Sequence, residues 1–364
     1  MKAVVLGASG VVGRAAVAYM LAAGVEVLAV GRDPERVAAS CPGALVHPGL
    51  DLDQTVNGEP LPGAVEYSLF DSADVVLSCA GPSHRYTERV ARMALSAGVP
   101  LVDPGGERLV ATLDPLARAT GVSVVLGAGV QPGLSGLAVR VAAARLGQVP
   151  QRITGWGGGL QPLTRAGVEE YLEAATLSSR SGQRLTHGVR VGVRPGLTPP
   201  VPHPFPSSAR AHTHLDEEVE RAAAAVGAEH LHWANVTDGA VIEAVLGRCL
   251  SGEATLDEAI GAADIDLFGR SAYFHILVEA FGVEERSWAR VTCTDSYCAT
   301  GEVAAALALQ TPGAAPGARL ASEQGAPLAS WYSLQTALAS SVRLGAGVGP
   351  GFGDPVGTIV EGKL

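Results

Sequence analysis

Gly7, Gly10 and Gly13 recur at every third position of the run Gly7-Ala8-Ser9-Gly10-Val11-Val12-Gly13, a spacing that suits a phosphate group. Missing side chains let the backbone turn sharply and approach a pyrophosphate. A helix opening at Val11 adds unpaired N–H groups and the positive end of its dipole. About 20 residues further on, where such a turn is followed by ribose recognition, the chain reads Val30-Gly31-Arg32-Asp33. An acidic residue in first place would bond the ribose hydroxyls. Gly31-Arg32 instead offers a guanidinium to a 2′-phosphate, which favours NADPH. Asp33, one position later, reads as the cap of a short helix opening at Pro34, and it keeps NAD open as the alternative.

A third small-residue run, Cys79-Ala80-Gly81-Pro82, closes another strand pattern and precedes His84, Arg85 and Tyr86. Ligands of open α/β sheets sit outside the carboxyl ends of the strands, so Cys79, Ala80, Gly81 and Pro82 are expected to border the nicotinamide through their backbone. Tyr86 and His84 are the candidate proton donors. In the plainer reading His84 caps a helix and Tyr86 packs. Asp103-Pro-Gly-Gly-Glu107 and the run from Gly127 to Gly133 end two more strand patterns on the same edge. Turns and caps account for most of their glycines; Asp103, Gly127 and Gln131 are expected beside the cofactor. Tyr297, in Asp295-Ser-Tyr297, either reaches the same cleft or packs at a strand end. His203, His212, His214, His230 and His232 invite a metal reading, since imidazoles two apart on a strand share a face. No cysteine or acidic pair completes a ligand spacing, and no metal is assigned. Gly-x-Ser-x-Gly, a Walker loop and a kinase set are all missing, so acyl and phosphoryl transfer have no support.

The elements needed to position these residues are legible as alternating runs. Strands are expected at 3–6, 25–30, 44–47, 74–79, 100–103 and 122–126. Helices are expected at 11–23, 85–97 and 109–119, with Gly24, Gly98 and Gly121 just past their ends. Such alternation predicts a parallel sheet wound by crossover helices, a Rossmann domain over 1–130. Beyond 149 the strand-like runs 152–156, 188–193, 230–236, 272–280 and 287–294 follow one another with fewer crossovers. With helices near 167–175, 215–226 and 241–250, they predict an α+β substrate and dimerisation domain over 131–310, built on a largely antiparallel sheet. The fold class is therefore α/β with this second domain closing over the substrate. Residues 194–206 hold six prolines and read as a rigid surface loop or lid. The chain turns irregular over 311–327, and 345–357 reads as a loose glycine-rich tail. The segment 311–364 is expected to pack back on the first domain. There is no internal repeat.

Composition narrows the field. A chain of 364 residues can hold two cores, and 47% hydrophobic with 17% charged residues is the make-up of a folded globular protein. A formal net charge of −10 without a basic patch argues against nucleic acid and acidic lipid as partners. No secretory leader pattern opens the sequence and no stretch reaches the roughly 18 apolar residues of a membrane span. Five scattered cysteines without Cys-x-x-Cys spacing suit a reducing cytoplasm. Cys293 and Cys298 read as buried thiols, with a redox pair as the alternative.

Taken together, the glycine triplet, the Cys79-Ala80-Gly81-Pro82 stretch, the helix running to Ala97-Gly98-Val99, Val102-Asp103, Gly127–Gly133 and Asp295-Ser-Tyr297 resemble the saccharopine-reductase-like family of NADP-dependent oxidoreductases. That resemblance implies a homodimer that forms or reduces carbon–nitrogen bonds with hydride from NADPH. Within the family the chain is similar to the thiazolinyl imine reductases of pyochelin-type siderophore assembly lines. This implies reduction of a thiazoline to a thiazolidine on an intermediate tethered to the carrier domain of a nonribosomal peptide synthetase, with proton transfer from Tyr86, His84 or water. Three other readings stay open. A saccharopine- or opine-type dehydrogenase acting on a free amino acid and an oxo acid requires cationic anchors such as Arg152, Arg165 or Arg180. A non-catalytic NADPH sensor requires a blocked nicotinamide face. An enoyl reductase requires a long apolar tunnel.

Overall fold

Four apolar side chains in a row, Ala3 to Leu6, are all buried, as in a strand covered on both faces at the centre of a parallel sheet. The computed structural model describes residues 1–56, 59–60, 69–177, 180–194, 198–338 and 340–352. Residues 195–197 of the proline-rich loop and 353–357 of the glycine-rich tail lie outside the described residues. Along the chain β1 (Lys2–Leu6) is followed by α1 (Val11–Ala22), β2 (Glu26–Val30), α2 (Pro34–Ser40), β3 (Leu45–Val46), β4 (Thr55–Val56) and β5 (Glu59–Pro60). Then come β6 (Val75–Ser78), α3 (Ser83–Ser96), β7 (Leu101–Val102), α4 (Val110–Thr120) and β8 (Ser123–Leu126). The next elements are α5 (Leu134–Leu146), β9 (Arg152–Leu160), α6 (Arg165–Leu177), β10 (Gln183–Thr186), β11 (Val189–Gly192), β12 (Arg210–Thr213) and α7 (Glu217–Ala225). After them stand β13 (Leu231–Thr237), α8 (Ala240–Leu250), α9 (Leu256–Leu267), β14 (Tyr273–Phe281) and β15 (Arg286–Cys293). Last come α10 (Ser296–Gln310), β16 (Gly317–Leu320), α11 (Pro327–Ala337) and β17 (Val342–Val348). They form two units, Met1–Gly133 with Tyr297–Gln324, and Leu134–Ser296 with the described residues from Gly325 on.

In the first unit seven strands lie in the order β16-β8-β7-β6-β1-β2-β3, and every pairing is parallel. The order reverses between β1 and β6, the switch point at which doubly wound sheets bind ligands. Helix α3 buries Thr87, Val90, Ala91, Ala94 and Leu95, the three-and-four spacing of an amphipathic helix, against the sheet core. Gly24, Gly98 and Gly121 all have positive φ just past α1, α3 and α4, as their expected capping role requires. Residues 297–310, expected in the second domain, form α10 of this unit; of the segment 311–364, expected to be irregular at its start and to pack back on this unit, Gly317–Leu320 forms its strand β16, while the described residues from Gly325 on fall in the second unit. Two contacts account for α10 and β16. β16 pairs with β8 from Gly317 to Leu320, and a Cβ on Gly301 of α10 would lie 2.2 Å from the Val12 carbonyl, so only glycine lets α10 press against the start of α1.

In the second unit the order is β11-β10-β13-β9-β14-β15-β17, with β12 added on β13. Neighbours are antiparallel except β13 and β9, which run parallel over seven residue pairs. β15 alternates strictly between buried and half-exposed positions. Its inward Ser287 hydroxyl donates to the Ala142 carbonyl of α5 (2.6 Å), fixing helix to sheet. The start of α5 is held by Glu218, which accepts from the Gly136 N–H (3.0 Å) and the Ser135 hydroxyl (2.5 Å), a carboxylate stabilised by the positive end of the helix. The opening of the expected tail is part of the sheet, because β17 pairs with β15 from Val342 to Val348. The five cysteines form no disulfide. Among the described residues no helix is long and apolar enough to cross a membrane.

Candidate functional site

The turn after β1 is built by contacts that admit no side chain. Gly7 has φ +70°, and a Cβ there would lie 2.5 Å from the Cys79 carbonyl of the loop after β6. A Cβ on Gly13 would lie 2.2 Å from the Gly7 carbonyl. Gly10 is the exposed N-cap of α1, and no side chain caps the helix. Ala8 is buried, Ser9, Val11 and Val12 are half-buried, and the first N–H groups of α1 are left to an outside acceptor. This bare helix start at the sheet's switch point fits the pyrophosphate of a dinucleotide.

At the end of β2 the two polar residues divide their roles. Asp33 accepts from the N–H groups of Glu35 (3.0 Å) and Arg36 (3.1 Å) and so caps α2. Arg32 is exposed, and among the described residues no carboxylate pairs with it. Gly31 lies under Val37, where a Cβ would come within 2.8 Å of Cγ2, and close to the Ser9 hydroxyl.

Tyr86, in the first turn of α3, leans toward this same end of the sheet. Its hydroxyl donates to Asp53 (3.1 Å to Oδ1, 3.0 Å to Oδ2), the Arg85 guanidinium pairs with the same carboxylate at 3.2 Å, and Arg85 also lies over the Tyr86 ring at 5.4 Å. Burial, followed by the bond to Asp53, raises the Tyr86 hydroxyl above its usual range, while the charges of Arg85 and Arg32 act the other way. Tyr86, expected at the nicotinamide as a proton donor, is thus placed with Asp53 and Arg32 on the β2–β3 side. That is the adenosine half of a doubly wound sheet. His84 is exposed at the second position of α3.

The opposite half, beyond β6, holds the other expected residues. Cys79 and Ala80 are half-buried, Gly81 is exposed and Pro82 is buried at the N-cap of α3. Burial, reinforced by the charge of Asp103, pushes the Cys79 thiol well up, so it stays protonated. Asp103 is buried and accepts from the Gly105 N–H (2.8 Å), while its carbonyl accepts from Ala128 (3.0 Å). Gly127 donates to the Gly105 carbonyl (2.9 Å), tying the loops after β7 and β8 together. The Val130 N–H bonds the Thr300 hydroxyl of α10 (3.2 Å). Gln131 is half-exposed on this loop. The loops carrying Cys79, Asp103 and Gly127 are thus gathered at the carboxyl ends of β6, β7 and β8, while the Tyr86 hydroxyl turns to Asp53.

A second constellation, in the other unit, was not singled out from sequence. Asp238, at the end of β13, has a side chain only 1% exposed. It accepts from the hydroxyls of Ser208 (2.7 Å) and Tyr273 (2.8 Å) and pairs with the Arg270 guanidinium. Tyr273 stands 5.1 Å from His275, ring centre to ring centre, and Phe205 meets His275 edge-on at 5.3 Å. Burial, then the charges of Arg290, Arg343 and His203, holds the His275 imidazole down to about 4. An aspartate leaving a strand just before Gly239 and a helix was the available signal, the same that marked Asp103. Three of the histidines singled out from sequence disperse: His212 faces Glu243 and His214 faces Asp216, both at 3.2 Å, and His232 bonds Thr213 at 2.9 Å.

Residues 3–94 match the model of the NAD-dependent epimerase/dehydratase family, well under half of the chain. No curated protein matches the sequence. Among solved structures, the apo saccharopine dehydrogenase (L-Glu forming) of Saccharomyces cerevisiae is 14% identical and aligns over 96% of this chain and 100% of its own, with a TM-score of 0.65. A putative epimerase of Bacteroides thetaiotaomicron is 30% identical over 29% of this chain and 47% of its own (TM-score 0.23). An imine reductase of Streptomyces aurantiacus is 17% identical over 33% and 37% (TM-score 0.22). The chain has a saccharopine dehydrogenase-like fold, an all-parallel Rossmann-type sheet joined to a mostly antiparallel second sheet.

Proposed function

We propose that the chain is a nicotinamide-dependent oxidoreductase that uses NADPH to reduce a carbon–nitrogen double bond. The observation that carries the cofactor is the division of labour after β2: Asp33 is engaged as a helix cap, and Arg32 is left exposed beside the bare helix start at Gly10. The family match over 3–94 supports a dinucleotide in that cradle. Bound there, the cofactor supplies the hydride. Gly7, Gly10 and Gly13 hold its pyrophosphate, Arg32 holds a 2′-phosphate, and Cys79–Pro82, Asp103, Gly127 and Gln131 border its reactive end. Tyr86 and Asp53 belong to the adenosine end, so the proton for the nitrogen comes from water or from another group, not from Tyr86.

For the substrate, thiazoline reduced to thiazolidine on a carrier-tethered intermediate of a nonribosomal peptide synthetase is the reading that the sequence resemblance supports. Saccharopine-type chemistry on free amino acids is disfavoured by the arginines it requires. Arg152 lies over the Phe281 ring at 4.2 Å, Arg165 pairs with Asp257 at 3.0 Å, and Arg180 pairs with Glu220 at 2.5 Å. The test is oxidation of NADPH, with NADH in parallel, in the presence of a synthetic thiazoline ester or of glutamate with an aminoadipate semialdehyde. Thiazoline-dependent oxidation is expected. Turnover with the amino-acid pair alone moves the assignment to saccharopine-type chemistry, and tight cofactor binding without turnover of either favours a sensor.

A further inference from the structure

Strands β10 and β11 are joined by two residues, His187 and Gly188, with Thr186 facing Val189 across the hairpin. Both turn residues have positive φ, +50° and +71°, the pattern of primed hairpin turns, for which Asn-Gly is the favoured pair. Among the described residues His187 is the one non-glycine residue with positive φ. A histidine kept where asparagine or glycine is at ease points to a use for its side chain.

That side chain has two neighbours on the lead-in to β13. The His187 and His230 rings meet edge-on with centres 4.6 Å apart, and His187 Nδ1 lies 3.7 Å from Glu229 Oε2. One ligand atom from each of His187, Glu229 and His230 lies within 4.8 Å of the others. The backbone is pinned underneath, since the Gly188 N–H donates to the Glu229 carbonyl at 2.9 Å. His187 and Glu229 are exposed and His230 half-buried, so ion and water have access.

From this geometry we infer a divalent transition-metal site formed by His187, Glu229 and His230. Two imidazoles and one carboxylate select zinc, nickel or copper; magnesium and calcium need more oxygen ligands. Ligand atoms around a tetrahedral zinc stand about 3.3 Å apart. The three side chains therefore close in by rotation about their own bonds while the pinned turn stays in place. Three protein ligands leave a coordination position for water. The ion clips the β10–β11 hairpin to the start of β13, and because the unfolded chain does not preassemble the set, binding adds to the stability of the folded state.

The test uses the full chain, chelator-treated and kept in a non-thiol reductant, titrated with zinc by calorimetry and followed by thermal melting. H187N is the informative variant, because asparagine satisfies the turn and removes the ligand; H230Q removes the second imidazole. Even loss of a group that only supports a ligand weakens metal binding by about 10–100-fold, so each variant is expected to bind zinc about a hundredfold more weakly and to lose the zinc-dependent rise in melting temperature. H187N is expected to melt no lower than the native chain in chelator, which shows that the hairpin remains intact. Copper bound to the native chain is expected to show coupling to two nitrogens by electron paramagnetic resonance, reduced to one in either variant. Failure of the native chain to bind zinc, or the same affinity in the native chain and both variants, overturns the assignment.

Discussion

Replacing Arg32 by alanine isolates the feature on which the choice of cofactor rests. Hydrogen bonds to a charged group contribute roughly 1.5–3 kcal/mol, and an exposed guanidinium belongs at the low end because water screens it. At about 1.4 kcal/mol for each tenfold change, NADPH is expected to bind about tenfold more weakly to Arg32→Ala, with NADH unchanged. No described carboxylate pairs with Arg32 and the side chain is exposed, so the melting temperature stays within a degree or so of the native value. The assay is titration of both cofactors by fluorescence, repeated at rising salt. The difference between them in the native chain shrinks as salt screens the 2′-phosphate contact, and Arg32→Glu inverts the preference. Equal weakening of NADPH and NADH, or an unchanged NADPH affinity, would refute the reasoning and return Asp33 to the ribose.

Four further outcomes follow from the same geometry. Asp33→Ala removes the α2 cap and is expected to lower stability by about 1 kcal/mol in urea unfolding while leaving the cofactor preference in place. Tyr86→Phe, placed at the adenosine end by its bond to Asp53, is expected to change turnover by no more than about threefold; a fall of about a hundredfold, the scale of lost general acid catalysis, would restore it as the proton donor. Burial holds the His275 imidazole neutral down to about 4, well below the 6.5 of a free histidine side chain. A lowered folded-state value gives stability that is complete above the unfolded value and lost as pH falls from 6.5 through 4, amounting to about 2 kcal/mol between about pH 7 and pH 5; His275→Gln should remove that share of the fall in the urea midpoint and leave the similar share of His232, which burial also holds down to about 4. Asp238→Ala strands the hydroxyls of Ser208 and Tyr273 and the Arg270 charge, and is expected to cost about 2–3 kcal/mol in the same unfolding assay.

Among the helices, those that announced themselves in the sequence have an environment with two sides. α3 shows its buried stripe at Thr87, Val90, Ala91, Ala94 and Leu95 because its other face meets water, and Gly24, Gly98 and Gly121 mark helix ends because their positive φ excludes most side chains. α5 gave no such sign. Ten of its residues are buried, on every face, and a helix apolar all round has no period to detect. β16 and β17 escaped for another reason. Gly317–Leu320 is a four-residue strand whose partner, β8, lies nearly two hundred positions earlier, and the glycines of β17 at 345 and 347 lie against Trp288 of β15. A composition that reads as loose chain is there the imprint of a tryptophan across the strand pair.

The candidate site divides along the same line. Local backbone geometry was legible: a glycine that packs against a carbonyl, a bare helix start, an aspartate that caps its own helix two and three residues on. Long-range side-chain direction was not. Residue spacing placed Tyr86 at the mouth of the sheet, but a side chain in the first turn of a helix leans back over the preceding turn, and which neighbour it meets depends on where a distant loop delivers a partner. Here the loop after β3 delivers Asp53, 33 positions away in sequence, and that carboxylate draws both Tyr86 and Arg85 toward Arg32. Asp238, Tyr273 and Arg270, brought together in the second sheet from positions up to 35 apart, are assembled by the same kind of long-range contact, which no local motif announces.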